Sequence, residues 1–99
     1  MTIDKKQENG KIILTLDGRL DTTTAPKLQE ILIPTFDEVK EVELDFADLA
    51  YISSAGLRVL LMGEKTSKTK EAKMIIKNVS EEIMDVFEMT GFNDMLEIV

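Results

Sequence analysis

Apolar positions along the chain alternate between runs of period two and runs of period 3.6, and the switches between them outline the elements. KIILTLDG, residues 11–18, combines β-branched residues with partial alternation and ends in an Asp-Gly turn signal, which predicts a strand. Residues 2–8 are polar and offer it only a weakly signalled edge strand. From Thr24 the period changes. Ala25, Leu28, Ile31, Leu32, Thr35, Phe36 and Val39 follow helical spacing, with threonines available as N-caps and Pro26 tolerated in the first turn. Pro34 removes the hydrogen bond to the carbonyl of Glu30, so this helix is expected to kink, or to break and resume.

EVELDF, residues 41–46, alternates acidic and apolar side chains and predicts a second sheet strand. Residues 55–70 follow as a helix with Leu57, Leu60 and Leu61 on one face and Lys65, Lys68 and Lys70 on the polar side. AKMIIKN, residues 72–78, predicts another strand. Ser80 is placed to cap a short helix carrying Ile83, Val86 and Phe87 at i, i+3, i+4, closed by Gly91. MLEIV at the end is short enough for one final strand.

Strands alternating with helices predict an α/β fold, one domain over residues 1–99. Its sheet is expected to have four to five strands and to be mixed, because the N-terminal pair is joined by a short turn. No repeat, low-complexity tract or linker interrupts the chain. Ninety-nine residues, 43% of them hydrophobic, suffice for one core and not for two.

Composition then removes most familiar chemistries. The chain has no cysteine and no histidine, which excludes disulfides, thiol catalysis, a histidine general base and zinc sites of the usual ligand types. No metal, cofactor or catalysis is expected. A formal net charge of -7 argues against nucleic acid and anionic membrane, both of which are bound through clustered Lys and Arg. The N-terminal MTIDKKQENG has no apolar segment, and no stretch approaches the ~18 consecutive apolar residues of a membrane span, so the chain is expected to be soluble and cytoplasmic. Residues 63–77 carry five lysines, whereas residues 80–99 carry six carboxylates and no cation. The acidic stretch reads either as a solvated helix face or as a docking surface for a basic protein.

One segment stands out: ADLAYISSAGLRVLL, where an apolar run enters a loop and a helix begins at or just after Ser54. A hydroxyl there can cap the helix, and open amides with the helix dipole stabilise an anion at the same point. A phosphate on Ser54 would add about -1.5 to -2 charges where a helix best tolerates them. It would be stabilised locally while repelling an acidic partner surface. Gly56 has no capping reason and costs about 1 kcal/mol against alanine in a helix interior. Its missing side chain either lets a partner approach or lets the helix pack closely on the sheet. Arg58 lies four residues after Ser54, on the same helical face, where it could pair with a phosphate, pair with an acidic partner group, or stay solvated. Asp21 reads as an Asx-type cap of the turn into the first helix.

DFADLAYISSAGLRVLL, with the earlier GRLDTTTAPKL and the later VFEMTGFNDMLEIV, resembles in order and spacing the STAS domain of bacterial anti-sigma factor antagonists, over nearly the whole chain. The resemblance implies a phosphoacceptor serine in a D-S-x-G-L pattern at the start of the second helix. Ser54, Ala55, Gly56 and Leu57 match S-x-G-L; Ser53 departs from the usual Asp, supplying a cap without its charge, and offers a second candidate acceptor. The resemblance further implies a partner that is both anti-sigma factor and serine kinase of the histidine-kinase-like ATPase class. That partner is bound by the unmodified form and released on phosphorylation, and a PP2C-type phosphatase reverses the step. Asp21, Thr22, Ser53, Gly56 and Arg58 are then the expected partner-binding residues. Two other roles stay open: a STAS-type cytoplasmic subunit of a lipid or anion transport system without a phospho-switch, and nucleotide binding, for which the chain has no Walker A pattern.

Overall fold

A computed structural model describes residues 1–99. The chain begins with a hairpin: β1 (Thr2–Glu8) and β2 (Lys11–Leu20) pair antiparallel, with Glu8 opposite Lys11 across the two-residue turn Asn9-Gly10. Both turn residues have positive φ, 50° and 78°, the combination that a tight hairpin requires and that Asn-Gly adopts readily. That turn, rather than any hydrophobic signal in the exposed β1, sets the pairing.

β2 does not end at Asp17-Gly18, as its turn signal suggested. Gly18 takes φ 117° between two shifts of register, and the strand continues to the fully buried Leu20. β3 (Glu41–Ile52) runs parallel to β2 and extends six residues beyond the expected Phe46, because Leu49 and Ile52 continue the buried row after the bulge. β4 (Lys73–Lys77) and β5 (Glu97–Ile98) add two further parallel strands, giving one five-stranded mixed sheet in the order β1-β2-β3-β4-β5.

Helix α1 (Ala25–Thr35) takes Pro26 in its first turn and reaches one residue past Pro34. It ends there and does not resume: residues 36–38 form turns, and Phe36 and Val39 are buried from there. Helix α2 (Ser54–Thr69) follows β3, and α3 (Glu81–Thr90) has the expected caps. Ser80 Oγ accepts the Ile83 N–H, and Gly91 closes the helix at φ 80°. A one-turn helix, α4 (Phe92–Met95), separates α3 from β5 and was not signalled by the pattern.

Strand periodicity decides the layers. Ile12, Leu14 and Leu16 of β2, Val42, Leu44 and Phe46 of β3, and Met74 and Ile76 of β4 share one sheet face and a single core with Leu28 and Leu32 of α1, Leu57 and Leu60 of α2, and Ile83 and Phe87 of α3. The opposite face carries charged residues, with the Glu43 carboxylate 2.7 Å from Lys11 Nζ and 3.0 Å from Lys77 Nζ. A sheet with helices on one face and ions on the other leaves the strand ends as the place where loops can present chemistry.

Candidate functional site

Parallel β2 and β3 end side by side. Leu20 is in register with Ile52, and the Ser53 N–H donates to the Leu20 carbonyl at 2.9 Å. The loop 21–24 and the start of α2 therefore leave the same end of the sheet, and Thr22 shares a groove with Ala55 and Arg58 of α2.

The loop is organised by one carboxylate. Asp21 Oδ1 accepts from the Thr23 N–H at 3.0 Å, the Thr23 hydroxyl at 2.8 Å and the Thr24 N–H at 3.1 Å. The Thr24 hydroxyl accepts the Asp21 N–H and donates to the Arg19 carbonyl, both at 2.8 Å. Thr24 makes no side-chain cap of α1, contrary to expectation; its hydroxyl is used to close the loop instead. The Thr23 hydroxyl, with the amides of Thr24 and Thr23, holds the Asp21 carboxyl below the usual carboxylate range. Asp21 is thus a fixed anion.

The two serines divide their roles. Ser53 has extended backbone, φ -100° and ψ 174°, and its half-buried Oγ accepts the Gly56 N–H at 3.4 Å, so Ser53 is the N-cap. Ser54 is the first helical residue and is exposed. The cap expected of a hydroxyl at Ser54 belongs to its neighbour, and Ser54 presents its own hydroxyl to solvent.

Gly56 does not reach that surface. It is buried, and a Cβ built on it would lie 2.7 Å from Leu20 Cγ and 3.0 Å from Ile52 Cγ1. Its lack of a side chain serves the seating of α2 on the sheet, not the approach of a partner. Arg58 is exposed on the side of α2 that faces α1, where it lines a groove of about 210 Å³ with Thr22, Pro26, Gln29 and Met62. A larger depression, about 550 Å³, lies at the opposite ends of the parallel strands between Lys11, Lys40, Glu41 and Lys73, and includes none of the candidate residues.

One feature of this end escaped the sequence reading. The Arg19 guanidinium carbon sits 4.1 Å from the centroid of the Tyr51 ring, and Arg19 Nε is 4.0 Å from Asp21 Oδ2. Arg19 and Tyr51 are register neighbours on β2 and β3. Tyr51, the chain's one tyrosine, was the available signal; its pairing with Arg19 depends on a register displaced by bulges. The site is therefore an ionised Asp21, an exposed Ser54, an Arg58 at a groove and an Arg19–Tyr51 stack. No group of three or more carboxylates is arranged to hold a metal ion, and no helix is long and apolar enough to cross a membrane.

Known proteins resemble this chain in sequence and in fold. The chain is 29% identical over 98 residues to the anti-sigma-B factor antagonist of Bacillus subtilis, covering 99% of this chain and 90% of that protein. Its fold matches the structure of the anti-sigma factor antagonist SpoIIAA in its unphosphorylated form with a TM-score of 0.79, at 15% identity, over 99% of this chain and 87% of that one. The Bacillus cell fate determinant SpoIIAA in the phosphorylated form matches with a TM-score of 0.77, at 16% identity, over 99% of this chain and 91% of that one. The STAS domain pattern covers residues 2–99, and with these relatives it establishes that the chain belongs to the STAS domain family and its anti-sigma factor antagonist group.

Proposed function

We propose that this protein is a partner switch acting in the cytoplasm: a binding module without catalysis of its own that sequesters an anti-sigma factor while Ser54 is unmodified. The observation that carries this reading is the position of Ser54, exposed at the first residue of α2 at the sheet end that also carries the Asp21 loop, in a chain whose relatives are anti-sigma factor antagonists. The anti-sigma factor is also a serine kinase of the histidine-kinase-like ATPase class. As the Ser54 Oγ–phosphorus bond forms, the bond between the β and γ phosphates of ATP breaks, ADP leaves, and the hydroxyl proton passes to a base of the kinase. A PP2C-type phosphatase hydrolyses the ester and resets the switch.

Asp21 and Thr22 supply a fixed anion and a hydroxyl at the rim of the binding face, and Arg58 supplies a cation. Ser53 keeps the neutral hydrogen bond of a cap where the family's usual aspartate adds a charge. Phosphate at Ser54 adds about two negative charges to the centre of this face and weakens binding by repulsion. The test is intact mass with site mapping after incubation with ATP and an extract of the source cells, followed by binding to the kinase so revealed. One phosphate on Ser54 is expected, with Ser54→Ala binding the kinase and resisting release by ATP, and Ser54→Asp binding at least tenfold more weakly. Equal affinity of the two variants would sink the mechanism.

A further inference from the structure

Arg58 has no partner within its own molecule. None of the ion pairs of the structure uses it, so of the two arginines Arg19 is held by Asp21 while Arg58, like Lys6, Lys27, Lys40, Lys65 and Lys73, has no carboxylate partner. The groove explains why. Its first wall presents Thr22 of the loop and Ala25, Pro26 and Gln29 of α1, none of them ionisable, and the α2 wall adds only Ala55, Val59 and Met62. Lys27 and Glu30 of α1 lie outside this lining, and Asp21 of the adjoining loop is already held by Thr23, Thr24 and Arg19. In a chain with an excess of carboxylates, one guanidinium stands at the site without a counter-charge. Ser54 is one helical turn away on the same face, and both residues are exposed. Side chains at i and i+4 have Cβ atoms about 5–6 Å apart, well within the reach of an arginine.

We propose that Arg58 reads the state of Ser54: unmodified, it is free to receive a carboxylate of the partner; phosphorylated, it closes onto the phosphate and is withdrawn from the interface. This rests on Ser54 being the modified residue, and it adds a second component to release. Phosphate does not only repel; it also removes the cation the partner was using. An arginine fork suits this role, since it pairs two phosphate oxygens at once.

The first experiment needs neither kinase nor partner. The full chain is made with phosphoserine installed at position 54, and the second ionisation of the phosphate is followed by phosphorus NMR across pH, in the parent, Arg58→Gln and Arg58→Lys. The phosphate midpoint, about 6 for phosphoserine, is expected to lie about 0.3 pH unit or more higher in Arg58→Gln than in the parent, with Arg58→Lys between them. Coincident midpoints in chains with the same circular dichroism would overturn the latch. Labelling of some residue other than Ser54 by ATP in extract would instead sink the switch itself, whatever the NMR shows, so the two failures are separable. In the unmodified protein, Arg58→Gln is expected to bind the kinase several-fold more weakly; unchanged affinity would also overturn the proposal.

Discussion

At the level of single residues, the site separates what a side chain does for the fold from what it offers to a partner. Gly56 and Ser54 are two positions apart, yet one is buried against Leu20 and the other is open to solvent. Gly56→Ala should test the first role directly. The added methyl overpacks a filled site, costing about 1–3 kcal/mol, while better helix propensity returns about 1 kcal/mol. A net loss of about 1 kcal/mol is expected, seen as a lower urea midpoint at unchanged slope; a variant as stable as the parent would contradict the packing role. The motif around the serines was legible in the sequence, but from the residues alone the division of labour between them was not, and only the resemblance offered Ser53 as the cap. Two adjacent serines are chemically alike, and only the extended ψ of Ser53 decides which one caps. The Arg19–Tyr51 stack was hidden for a different reason: it depends on two bulges that no local pattern records.

Elements were legible where their ends carry dedicated chemistry. Ser80 and Gly91 bracket α3 as expected, and Asn9-Gly10 closes the hairpin even though β1 is almost wholly exposed. Boundaries drifted where tertiary packing overrides local signals. The Asp17-Gly18 turn signal was absorbed as a bulge because Leu20 fills the core, and β3 ran on to Ile52 for the same reason. Pro34 sits in the last turn of α1, where the chain leaves the helix almost at once, so its missing N–H interrupts little. Gly91 allows a test of an element end in isolation. A Cβ there would meet nothing within 4 Å, so any cost of Gly91→Ala comes from holding a side chain at φ 80°. That cost should be about 1 kcal/mol by thermal or urea unfolding, with Gly91→Asn losing less because asparagine tolerates the left-handed region. Equal losses for both variants would point to some other role for the glycine.

Across the whole molecule, the sheet divides the work between its two faces and its two ends. The helical face holds the core, the carboxyl ends of β2 and β3 carry the candidate site, and the open face is tied by Glu43 between Lys11 and Lys77. Glu43 is 5% exposed although no helix covers it, because the flanking strands and the two lysine stems close over it. The hydrogen bond from Lys11, followed by that from Lys77, lowers its pKa below the usual carboxylate range, and the same contact raises that of Lys11. Since the folded-state pKa of Glu43 is depressed, the unfolded chain binds more protons in the window between the two values. The contribution is then complete above the unfolded carboxylate value of about 4.3 and is lost as pH falls through the folded one. Asp21 acts with the same sign; Lys11, whose folded value is raised, contributes fully below about 10.4 and loses its share as pH rises through its own folded value. Glu43→Gln isolates the acid limb. At pH 7 its urea midpoint should fall below the parent's, and the gap should narrow as pH falls below the unfolded carboxylate value of about 4.3 and on through the lower folded one, where the parent's own carboxylate takes up its proton. Midpoint curves that stay parallel across that range would show that the charge of Glu43 contributes nothing, and that only its shape holds the open face together.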